Sequence, residues 1–113
     1  MTFEAEAIDA YDILIMQLAE GWFELDPVLS GWCGRSPDEL LAWAGELTVP
    51  DGIDPGKVVA TLLAMRLLQT RASAEEDLWR AGMLKASEVI ARHGISAPGG
   101  IAPLKWLEEK LGG

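Results

Sequence analysis

One histidine, His93, and one cysteine, Cys33, are all that the chain offers of the two residue types on which most nucleophilic and zinc chemistry depends. A lone thiol closes no internal disulfide and fits a reducing compartment. Nucleophilic catalysis needs a nucleophile, a base and a group that orients the base. His93 stands at the end of a helical pattern, where an imidazolium gains from the helix dipole. Cys33 follows Trp32 in a short apolar stretch, the setting of a packed thiol rather than a reactive one. Zinc cannot be satisfied by this pair without carboxylate help. Asp9 and Asp12, three residues apart with Glu20 further along, could grip a divalent ion but read as a solvated helix start. Gly31, Gly34, Gly45, Gly52 and Gly56 sit at turn positions without the Lys-Ser or Lys-Thr of a phosphate loop. No residue is therefore assigned to catalysis, to a metal or to a cofactor.

Basic residues are also scarce, 9 against 18 acids, for a net charge of −9. The imbalance is local. Residues 1 to 56 hold twelve acids against Arg35 alone, a balance of −11, whereas residues 57 to 113 hold eight bases against six acids, a balance of +2. Such a surface repels phosphate, which argues against nucleic acid and anionic membrane as partners. Residues 28 to 43 have a helix-turn-helix outline, but the would-be reading helix opens Pro37-Asp38-Glu39 and contains no lysine or arginine. The longest strongly apolar run, Val58 to Leu68, is broken by Thr61 and Arg66 and is too short to cross a bilayer. Met1 to Glu6 lack the basic start of a secretory signal, so the expected compartment is the cytoplasm.

What is present is apolar content at 50%, enough for a chain of 113 residues to fold as one domain, residues 1–113. A chain of this length buries roughly 65% of its unfolded surface. The spacing predicts a first helix over about Glu4 to Ala19, with Ile8, Tyr11, Ile15, Leu18 and Trp22 as its buried stripe and Gly21 as its exit. Asp26-Pro27 predicts a short second helix to about Trp32, stopped by Gly34. Ser36-Pro37-Asp38-Glu39 is a capping box opening a helix to about Leu47 that buries Leu40, Leu41, Trp43, Ala44 and Leu47. Asp54-Pro55 opens a central helix, about residues 55–71, apolar on nearly every side and so covered on most faces. Ser73-Ala74-Glu75-Glu76 reads as a second capping box, before a helix to about His93 that Gly94 and Ile95 stop. After Pro98-Gly99-Gly100, a final helix over about Pro103 to Leu111 offers Leu104, Leu107 and Leu111 to the body. Nothing alternates with a period of two for long enough to make a sheet. The fold class is all-α, a compact bundle of five to six helices.

Three of these stretches, in order, resemble one family. Gly21-Trp22-Phe23-Glu24-Leu25 follows a hydrophobic helix. Val58 to Met65 supply an alanine- and leucine-rich central helix. Glu76-Asp77-Leu78-Trp79 is followed by Lys85-Ala86 and by Val89-Ile90. Over roughly residues 8 to 93 the chain is similar to the helical C-terminal region of proteins carrying vault-inter-alpha-trypsin and von Willebrand factor A domains. It departs where Trp22 and Phe23 replace the family's serine and tryptophan, and where Val89 replaces a frequent tryptophan. These residues hold no von Willebrand domain, so metal-dependent adhesion does not carry over. The resemblance implies a non-catalytic helical module.

Composition and resemblance together lead to a protein-interaction module whose partner is a protein, basic if it meets the acids, or a second copy of the chain. The candidate surface is Glu4, Glu6, Asp9 and Asp12 at the start of the first helix, together with Trp106. Of the five tryptophans, Trp106 stands between Leu104 and Leu107 on a short terminal helix and need not share their inward face. Two other readings come from different classes: a small-molecule-binding or minor enzymatic domain with a pocket between helices, and a DNA-associated regulator.

Overall fold

The computed structural model describes residues 9–112. Among them are six α-helices: α1 (Ala10–Leu14), α2 (Pro27–Cys33), α3 (Pro37–Ala44), α4 (Pro55–Arg71), α5 (Glu76–Arg92) and α6 (Pro103–Lys110). Two isolated β-bridges, Gln17 with Phe23 and Thr48 with Ser96, are the sheet-like pairings among the described residues. The protein is an all-α bundle.

The bundle is organised on α4, against which each of the other five helices packs. The reason is composition: Val58, Val59, Leu62, Leu63, Met65, Leu67 and Leu68 point to every side of the helix and all are buried. An all-round apolar helix is stable only when covered on most faces. One polar residue interrupts it. Thr61 is fully buried, and its Oγ1 donates to the Lys57 carbonyl at 2.7 Å while accepting the Phe23 N–H at 2.9 Å.

Local signals set most helix starts. Asp26 Oδ1 accepts the Val28 N–H (2.7 Å), Ser36 Oγ the Glu39 N–H (3.2 Å) and Asp54 Oδ1 the Gly56 N–H (2.9 Å), each ahead of a proline. These side chains satisfy amides that the first helical turn leaves unpaired. At the end of α5, Gly94 donates to Ala91 (3.1 Å) and Ile95 to Ile90 (3.4 Å), with Gly94 at φ 64° and Ile95 buried. That is the Schellman ending the glycine and isoleucine announce.

Other boundaries are set from a distance. The first helix does not continue to Ala19 but ends at Leu14. Beyond it the chain folds into a tight hairpin, with Leu18 donating to Trp22 (2.8 Å) and Gly21 to Leu18 (2.9 Å). Gly21, at φ 111°, serves this turn and not a helix exit. The expected stripe fails at Tyr11 and Ile15, which face out while Ala10 and Ile13 face inward. It holds at Trp22, which is buried, and at Leu18, which packs against the core. Ile8 lies outside the described residues. Helix α3 stops at Ala44 because Thr48 pairs with Ser96 in both directions (2.9 and 3.2 Å), although Leu47 is still buried. Leu41 is exposed and Trp43 half-buried, contrary to expectation. The second capping box does not form. Ser73 opens a single 3-10 turn, Ser73–Glu75, and its side chain caps nothing. In the first box Glu39 turns away from the cap and meets Arg35 at 3.0 Å.

Candidate interaction surface

Helix α1 has five residues, too few to persist by its own hydrogen bonds. It is held at its start by two carboxylates. Asp9 Oδ1 accepts the Tyr11 N–H at 2.9 Å, and Glu75 Oε1, from the turn before α5, accepts the Ala10 N–H at 3.0 Å. Further along, Gln17 Nε2 donates to the carbonyls of Gly82 (2.9 Å) and Gly21 (3.1 Å). The backbone of Lys85 then lies against Gly21. Residue 10 is thus level with 75, 17 with 82 and 21 with 85, so the segment runs alongside α5 in the same direction.

Gly82 makes this approach possible. A Cβ there would stand 2.8 Å from Leu14 Cδ2 and 2.9 Å from Gln17 Oε1. With Ala10 and Ile13 buried, the 3.6-residue period turns Tyr11 and Ile15, one turn apart, to the outside. Tyr11 precedes Leu14 by three residues, and Leu78 precedes Gly82 by four, so both stand one turn from the Leu14–Gly82 contact and toward the same end. These three side chains remain 66% (Tyr11), 61% (Ile15) and 62% (Leu78) exposed. They are large apolar side chains in water on neighbouring elements of the fold.

The charges around this face are mostly acidic. Asp9 and Asp12 are exposed on α1, and Glu76 and Asp77 open α5. Arg80 lies 3.4 Å from Glu76 and 3.6 Å from Asp77, an exposed triad of little energetic weight. Lys85 stands at the far end, its stem beside Gly21. Of the sequence-predicted site residues, Asp9 and Asp12 therefore fall on this face. Glu4 and Glu6 lie outside the described residues.

Trp106 is the correction. It is 3% exposed and buried beside Leu107, so it lines no open groove. Packing α6 onto α4 turns it inward, and Arg66 reaches across to Glu108 at 3.1 Å. Its indole nitrogen makes no close hydrogen bond. The Lys110 ammonium, hydrogen-bonded to Glu46, holds that carboxyl below the usual range, and the Trp106 indole adds a smaller pull. Trp22 and Trp79 are buried too, the latter donating to the Ala72 carbonyl at 2.8 Å. Trp43 is half-buried between the Arg35 guanidinium (5.3 Å) and the Lys110 ammonium (5.5 Å), a cation–π arrangement that ties α3 to α6.

The single histidine and the single cysteine are engaged in packing. The His93 ring stacks on Trp22, centroids 5.7 Å apart. Cys33 Sγ donates to the Ser30 carbonyl at 3.1 Å, and burial pushes its thiol pKa up. Among the described residues no group of three or more His, Cys, Asp or Glu side chains is placed to hold a metal ion. No helix among them is long and apolar enough to cross a membrane.

Sequence reasoning missed Gly82, Glu75 and the outward Tyr11–Ile15–Leu78 face. One signal was available: an isolated glycine inside an apolar-periodic helix points to a close approach. No protein-family model, curated protein or solved structure matches the chain.

Proposed function

We propose that this protein is a non-catalytic helical interaction module, cytoplasmic, which binds a protein partner through the face formed by α1 and the start of α5. The observation that carries the reading is the exposure of Tyr11, Ile15 and Leu78 on neighbouring elements, with the exposed Asp9, Asp12 and Asp77 close to them along the chain. Burying large apolar side chains in a complex returns free energy that the isolated chain forgoes, on the order of 25 cal/mol per Å². The likeness to the helical region of vault-inter-alpha-trypsin and von Willebrand factor A proteins supports the same reading. Among the residues that carry it, Val58 to Met65, Trp79, Ala86 and Ile90 are buried. They speak for a shared shape and carry no active-site chemistry.

The test is a triple variant, Tyr11→Ser, Ile15→Ser and Leu78→Ser. These side chains contribute little to the core, so the variant should melt close to the parent. In cross-linked capture from the native host it should lose partners that the parent and a Leu84→Ser control, at another exposed leucine, both retain. Equal capture by the folded triple variant would remove this face from consideration.

A further inference from the structure

We propose that the occupant of the α1–α5 face is a basic amphipathic helix, seating apolar side chains over Tyr11, Ile15 and Leu78 and setting lysines or arginines against Asp9, Asp12 and Asp77. The inference rests on the interaction face proposed above and adds the chemistry of what fills it.

Charge decides the class of partner. Along the two elements of the face, from Asp9 to Ile15 and from Glu75 to Arg80, the charged side chains are Asp9, Asp12, Glu75, Glu76, Asp77 and Arg80, and Arg80 already meets Glu76 and Asp77. A second copy docking through the same face would bring the same acids to it, setting carboxylates near carboxylates. Like charges set against each other at an interface are unfavourable and suppress the wrong partner. An anionic lipid headgroup or a nucleic-acid backbone meets the same repulsion. A cationic segment gains instead, in encounter rate and in orientation.

Backbone hydrogen bonding decides the shape. Both elements of the face are helices, with their amides and carbonyls bonded along their own axes or capped by Asp9 and Glu75. There is no unpaired strand edge here for an extended peptide to extend. Two helices side by side with exposed apolar side chains are the kind of surface that receives a third helix through anchors one turn apart. Tyr11 and Ile15 have that one-turn spacing.

The experiment uses the full chain and two labelled peptides of roughly 15 residues, about four helical turns. One carries leucine on one face and lysine on the other; its counterpart has glutamate in place of every lysine. The lysine peptide should bind, and more weakly as salt shortens the screening length below ~10 Å. Tyr11→Ser with Ile15→Ser and Leu78→Ser should weaken it at least about tenfold. So should Asp9→Asn with Asp12→Lys and Asp77→Lys, where asparagine keeps the helix cap. Reversing three exposed acids elsewhere, Asp38→Lys, Asp51→Lys and Glu109→Lys, should change the affinity no more than about twofold. An equal loss in that control set overturns the proposal, because the attraction is then to overall charge. Equal binding of the glutamate peptide overturns the basic occupant but leaves the apolar face standing. Failure of both peptides to bind the folded chain also overturns it, while the capture experiment still judges the face. A dimer in sedimentation that the triple serine variant abolishes assigns the face to a second copy, against this proposal.

Discussion

Helix α4 and the α1 segment depend on burial and on single hydrogen bonds to different degrees. Helix α4 is surrounded by five other helices and buries eleven of its seventeen residues. Helix α1, five residues long, buries only Ala10 and Ile13. It and the segment that follows leave Tyr11 and Ile15 in water and are stapled by single hydrogen bonds, Ala10 to Glu75, Gln17 to Gly82 and Phe23 to Thr61. Burial is non-directional and tolerates small shifts, whereas a hydrogen-bonded staple works only with both partners in place. An element fastened by a few polar contacts can leave its apolar side chains free for a partner.

The sharpest way to break the comparison is to empty the packed side. Leu62→Ala should lower unfolding free energy by about 2–5 kcal/mol through lost burial and a cavity. A loss under about 1 kcal/mol in denaturant titration, below that range, would place α4 outside the core. On the stapled side, Gly21→Ala forces a side chain onto a backbone at φ 111° and within 2.8 Å of the Lys85 carbonyl oxygen. It should cost about 1–3 kcal/mol. Gly82→Ala, opposed only by the flexible ends of Leu14 and Gln17, should cost less in the same thermal melts. An equal cost at both sites would show that the backbone at Gly21 is not the constraint.

Thr61→Val keeps shape but removes the acceptor of the buried Phe23 N–H, so it should cost about 1–3 kcal/mol. Hydrogen exchange should then quicken at Phe23 ahead of the α4 amides; unchanged protection would mean the staple is dispensable. Ser36→Ala should destabilise by ~1 kcal/mol, while Ser73→Ala, whose hydroxyl caps nothing, should stay within about 0.5 kcal/mol of the parent. Similar losses at both serines would put a working cap at Ser73.

The smallest effect concerns α6. Glu46 has its pKa lowered by Lys110, so its pairing contributes above the ordinary carboxylate pKa and is lost as pH falls through the lower folded value. Amide protection in α6 should hold from neutral pH to about pH 4 and decline only below it. A decline beginning near neutrality would assign the pH dependence to another group.

Helices α2, α4 and the end of α5 were legible because their determinants are local. Asp26-Pro27, Asp54-Pro55 and Gly94-Ile95 each act within a few residues, and α4 announces burial by having no polar side. The candidate site was half legible. Asp9 and Asp12 were placed on it by charge, but Tyr11 and Ile15 were assigned to the core and Trp106 to the surface. Each of these errors concerns which face of a short helix turns inward. A five- or eight-residue helix offers two apolar flanks of similar size, and its own sequence does not choose between them.

By itself, then, the sequence determined the fold class, the central helix, the caps at Asp26, Ser36 and Asp54, and the acidic character of the first half, because propensity, capping and charge belong to neighbouring residues. Tertiary structure alone decided where α1 stops, that Glu75 caps α1 and Ser73 caps nothing, and which apolar side chains stay in water. Those outcomes depend on pairs some sixty-five residues apart, Ala10 with Glu75 and Gln17 with Gly82. A contact of that range exists only once α4 has gathered the chain around it.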